Sequence, residues 1–164
     1  MPGLEDLYRE IILDHYRSPR NRGELAVPPA TKAEGFNPLC GDEVVLYLDI
    51  DPDSETVRDV KIDGQGCSIS QASTSMMSSA VKGKPVGDAR RLIRAFKALM
   101  SIHESKLEGE ADGEDGSALE GVPLGDLEAL QGVVKFPVRI KCATLAWNTL
   151  EQGLDESEGP GVPT

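Results

Sequence analysis

The chain reads as an α+β protein: a small antiparallel sheet of about three strands, helices packed on one face, and a chemical site at one end. Three observations carry that reading. Residues 43–50 and 57–62 alternate apolar and polar side chains at strand spacing, with the turn-forming Asp51-Pro52-Asp53-Ser54 between them. Leu4 to Tyr16 and Val86 to His103 repeat their apolar residues at helical spacing instead. Between the two patterns, Gly64-Gln65-Gly66-Cys67 opens a run of small residues suited to a helix lying close against a sheet.

In order, the first helix places Leu4, Leu7, Tyr8, Ile11, Ile12 and Tyr16 on one stripe and ends at Ser18-Pro19. Arg17, Arg20 and Arg22 follow as cations complementing its C-terminus, and His15 is expected at the surface or as a cap, not as a ligand. A Pro-containing segment over 23–38 is expected to be extended, with 31–37 as a third strand. The first alternating run places Val44, Leu46, Leu48 and Ile50 on one face and Val45, Tyr47 and Asp49 on the other. The second carries Val57, Val60 and Ile62 as its apolar set. Met76 and Met77 in the small-residue helix, and Trp147 later, are expected in the core. The helix from Val86 ends with His103 as a C-terminal cation. Leu124 to Leu130 is a short helix stopped by Gly132, and Cys142 is expected to open a last helix through Leu150.

A chain of 164 residues fits one domain, here 1–153 with an exposed acidic insertion at 104–122 and a polar tail, 154–164, expected to be disordered. Seventeen Lys and Arg against 28 Asp and Glu give a net charge of −11, which argues against nucleic acid and anionic membranes as partners. The start Met1-Pro2-Gly3-Leu4 lacks the basic opening and apolar run of a signal peptide, and no apolar run has membrane-spanning length. The expected compartment is the cytoplasm.

Three cysteines, 27 and 75 residues apart, do not form a disulfide framework. Cys40 lies in the polar turn Asn37-Pro38-Leu39-Cys40-Gly41-Asp42, where residues two apart leave an extended backbone on the same side, so Cys40 and Asp42 can converge. Cys67 follows two glycines, and Cys142 follows Arg139 and Lys141. A helix N-terminus stabilises an anion by only about 0.3–1 kcal/mol, less than one pKa unit at about 1.36 kcal/mol each, so it leaves a thiol of ordinary pKa mostly protonated. A divalent metal removes that proton outright, and three thiolates with one carboxylate suit tetrahedral zinc, or iron, over magnesium or calcium.

These stretches, with Asp14-His15-Tyr16, Gly66-Cys67-Ser68-Ile69-Ser70, Ala72 to Met77, and Phe136-Pro137-Val138-Arg139-Ile140-Lys141-Cys142-Ala143, resemble the IscU/SufU family of iron–sulfur cluster assembly proteins over nearly the whole chain. The SufU branch is the more similar: Lys141 stands where the IscU branch has a His before its third cysteine, and the 104–122 stretch is shared with SufU. The resemblance implies Cys40, Asp42, Cys67 and Cys142 as zinc ligands, Cys40 as sulfur acceptor and Arg139 as a supporting cation. The implied partners are a PLP-dependent cysteine desulfurase and downstream iron–sulfur assembly or carrier proteins. An IscU-type scaffold is the alternative, binding iron and building a transient [2Fe–2S] cluster on Cys40, Cys67 and Cys142. A purely structural zinc adaptor is the third.

Overall fold

The computed structural model describes residues 4–27, 30–38, 41–107, 125–135 and 137–158. Its elements, in chain order, are α1 (Leu4–Arg17), β1 (Thr31–Asn37), β2 (Asp42–Asp51), β3 (Thr56–Gln65), α2 (Ser68–Val81), α3 (Val86–Leu107), a 3-10 helix (Gly125–Lys135) and α4 (Pro137–Glu158). The strands form one antiparallel sheet in the order β1-β2-β3, with Asn37 opposite Asp42 and Glu43 opposite Gln65.

Parity along β2 sets the interior. Val44, Leu46 and Leu48 all point inward and are buried. In β3 the inward residues Val57 and Val60 are three apart, a spacing that strict alternation forbids. A bulge resolves it: pairing runs from Asp49–Asp59 to Ile50–Val57, so Arg58 is the extra residue and both valines face the core. Asp51 closes the hairpin by accepting hydrogen bonds from the Asp53 backbone N–H at 2.9 Å and the Ser54 hydroxyl at 3.0 Å.

Helices cover one face of this sheet, as expected, with α2 against β3 and α4 against β1 and β2. The approach of α4 is close because Gly35 offers no side chain where Thr149 and Leu145 sit. The core gathers Leu46, Met76, Met77, Phe96, Trp147 and Leu150, and Trp147 stacks on Phe96 with ring centroids 4.6 Å apart.

Helix α2 buries four serines, Ser70, Ser73, Ser75 and Ser78. Small side chains let neighbours approach, but each buried hydroxyl then needs a partner. Ser73 donates to the Ala143 carbonyl at 2.6 Å and accepts from Trp147 Nε1 at 3.1 Å. Ser75 accepts from the Arg20 backbone N–H and bonds His15 Nδ1, at 2.9 and 2.8 Å. Ser78 donates to the Ser75 carbonyl and accepts from Asn21 Nδ2.

Several expectations are corrected. His15 is not at the surface: it is buried between α1 and α2 on Ser75. Cys142 does not open a helix, because α4 starts at Pro137, a residue whose fixed φ and missing N–H suit a first helical position. Residues 154–158, expected in the tail, belong to α4, which runs to Glu158 and buries Leu154. Helix α3 runs to Leu107, so 104–107 belong to it, and the segment stopped at Gly132 is a 3-10 helix continuing to Lys135. Residues 108–122 of the insertion and 159–164 lie outside the described residues, as does the side chain of His103. Arg20 does complement the end of α1, donating to the Asp14 and Ser18 carbonyls.

Candidate metal centre

Asp42 opens β2 with the same parity as Val44, Leu46 and Leu48, so its carboxylate points into the interior and is fully buried. Backbone turns deliver the other two groups. β3 ends in Gly66, whose φ of +153° suits glycine; a Cβ there would stand 2.5 Å from Asp42 Oδ1. The chain can therefore pass directly over the carboxylate and start α2.

Cys67 is the N-cap of α2, in extended backbone geometry. Its N–H donates to Asp42 Oδ1 at 2.9 Å, and its sulfur accepts from the Ser70 N–H at 3.4 Å. Cys67 Sγ and Asp42 Oδ2 are 4.0 Å apart. Cys142 comes from the second turn of α4, on the face that buries Ala143, Ala146 and Trp147, and is itself fully buried. One ligand atom from each of Asp42, Cys67 and Cys142 falls within 4.8 Å of the others. Cys40, the fourth expected ligand, lies outside the described residues.

Arg139, one turn before Cys142, is exposed to solvent, and its guanidinium is held above its already high pKa. The cause is first the electrostatic pull of Cys67, then hydrogen bonding to Cys142. An exposed cation thus stands beside two sulfurs, the half-buried Cys67 and the buried Cys142.

The donor set fits a soft divalent metal. Two sulfurs and a carboxylate oxygen at this separation can close on one ion. A carboxylate withdrawn from water is costly unless a positive charge offsets the loss of hydration, and among the described residues no ion pair reaches Asp42.

Of the expected site residues, Asp42, Cys67, Cys142 and Arg139 come together. Sequence reasoning passed over Ser70, whose amide bonds Cys67 and which reads only as one small residue among many.

Comparison with known proteins follows the same lines. The model of the NifU-like N-terminal domain matches residues 7–122. The chain is 44% identical to the zinc-dependent sulfurtransferase SufU of Bacillus subtilis, covering 95% of both chains. It is 37% identical to the iron–sulfur cluster assembly scaffold protein IscU of Streptococcus pyogenes, covering 94% of this chain and 86% of that one. A solved SufU from Fervidobacterium islandicum, proposed as a cluster assembly scaffold for the SUF system, superposes with a TM-score of 0.70 at 33% identity, covering 93% and 99% of the two chains. Among the described residues, no helix is long and apolar enough to cross a membrane.

Proposed function

We propose that this chain, which belongs to the NifU-like N-terminal domain family, accepts persulfide sulfur from a PLP-dependent cysteine desulfurase onto Cys40 and passes it to iron–sulfur assembly or carrier proteins. The observation that supports this most is the convergence of Asp42, Cys67 and Cys142 on one ion-sized space beside Arg139. The B. subtilis relative, a zinc-dependent sulfurtransferase, points the same way.

In this reading Cys40, Asp42, Cys67 and Cys142 hold zinc. When bound, zinc supplies the positive charge that keeps the sulfurs as thiolates and guards them from oxidation. The chain's own groups do the rest. The Ser70 N–H and the start of α2 stabilise negative charge on Cys67. The Cys40 thiolate attacks the terminal sulfur of the partner's persulfide. The partner's S–S bond breaks, its cysteine leaves as a thiolate, and Cys40 carries the sulfur with no net oxidation. Arg139 stabilises the anionic sulfur as it moves. The acidic chain suits a partner with a basic face and not a nucleic acid.

Cys40→Ala tests the assignment. The expected variant folds but neither raises desulfurase turnover nor takes labelled sulfur from substrate cysteine. A Cys40→Ala protein that stimulates like the parent overturns it. The scaffold reading draws on the S. pyogenes relative and on the same three cysteines. It requires that anaerobic reconstitution leave a stoichiometric cluster that the protein hands to an apo-acceptor.

A further inference from the structure

We propose that the Ser70 hydroxyl is a hydrogen-bond donor reserved for the Cys67 sulfur in its thiolate, metal-holding form, and so a positioning residue of the centre. The proposal rests on the metal reading above.

The argument begins with an imbalance in α2. Ser73, Ser75 and Ser78 each have bonded hydroxyls, whereas Ser70 Oγ, on a fully buried residue, has no partner among the described residues. A buried hydroxyl without a partner destabilises a fold, so one that persists calls for a reason.

Its position in the helix supplies one. Ser70 is three residues after the N-cap Cys67, and its amide already donates to the Cys67 sulfur at 3.4 Å. In the usual reciprocal cap, the side chain at this position turns back to accept the N-cap's own N–H. Here that N–H is taken by Asp42 Oδ1 at 2.9 Å. The Ser70 hydroxyl is therefore denied the donor of the ordinary cap. Because side chains of a helix tilt toward its N-terminus, the N-cap sulfur is the acceptor its O–H can serve.

A neutral thiol is a weak acceptor, whereas a thiolate is a strong one. On this proposal the Ser70 hydroxyl turns to the sulfur when Cys67 holds metal as a thiolate. A second donor on Cys67, beside the Ser70 amide, orients a metal-bound sulfur and stabilises its charge. Thr74 fixes the same turn by donating to the Ser70 carbonyl at 2.7 Å.

The test compares Ser70→Ala with the parent by three measurements on the full chain: zinc affinity by chelator competition, the sulfur-to-cobalt charge-transfer band after cobalt(II) loading, and thermal unfolding of the metal-free protein. Zinc affinity in the variant is expected to fall about tenfold, the low end of losses seen when a metal ligand's hydrogen-bond partner is removed. The cobalt band is expected to shift. Metal-free stability should stay the same or rise, because an unbonded hydroxyl has been removed. Zinc affinity within twofold of the parent overturns the role of Ser70 and leaves the metal reading intact. Weaker zinc binding with an equally weakened metal-free fold also overturns it, since the hydroxyl is then only structural. A parent that binds neither zinc nor cobalt overturns both.

Discussion

Asp42 has two separable duties, and two substitutions at one position distinguish them. Its Oδ1 satisfies the Cys67 N–H, and its buried charge calls for a cation. Asp42→Ala leaves that N–H without a partner and should destabilise the metal-free protein by about 1–3 kcal/mol. Asp42→Asn keeps an oxygen for the N–H, so metal-free stability should hold or rise while metal retention is lost. Denaturant unfolding of metal-free protein and chelator competition read the two effects; an Asn variant that holds metal like the parent contradicts the assignment. At this scale the sequence was legible where chemistry is concentrated. Asp42 and Cys67 stand out because glycines and turn residues frame them, Cys142 because it follows Arg139 and Lys141 outside an apolar stripe, and resemblance added the role of Arg139. Ser70 and His15 were not legible. Their significance lies in partners 3 to 60 residues away, including an N–H already taken by Asp42 and a serine on another helix.

Alternating and helical periodicities located the strands and most helices, because burial on one face imposes those periods directly. Boundaries were less legible. The last helix, expected from Cys142, starts at Pro137, and the polar sequence after Leu154 hid a last turn of it. The odd spacing of Val57 and Val60 signals the bulge only once both are known to face inward. Two expectations belong to these elements. Gly35→Ala drives a methyl into Thr149 and should destabilise by about 1–3 kcal/mol, and adding Thr149→Ala should recover at least about 0.5 kcal/mol of that, read as a double-mutant cycle. Additive losses would show that α4 does not press on β1 there. The β2–β3 turn should respond to acid. Hydrogen bonds, first from the Asp53 backbone and then from Ser54, hold the Asp51 carboxyl below its ordinary pKa of 3.8. Its stabilising contribution is then complete above the unfolded value and is lost as pH falls through the lower folded one. The gap in urea midpoint between the parent and Asp51→Ala should be open near neutrality and close as pH falls below 3.8 and through the lower folded value. A gap that does not change with pH would contradict this role.

Across the whole molecule, the sheet and helices serve one end. β2 brings Asp42, the Gly66 passage brings Cys67, and α4 brings Cys142 and Arg139 to the same place. Asp42, Cys67 and Cys142 lie 25 to 100 residues apart in sequence, so only the assembled fold makes them neighbours. The most direct test is the metal content of protein purified without chelator, measured together with desulfurase turnover in its presence and absence, before and after metal removal. About one zinc per chain is expected from a single four-ligand site, with a rise in turnover that disappears on removal and returns when zinc is restored. Iron with acid-labile sulfide in place of zinc, and turnover indifferent to the protein, would contradict the sulfur-relay account.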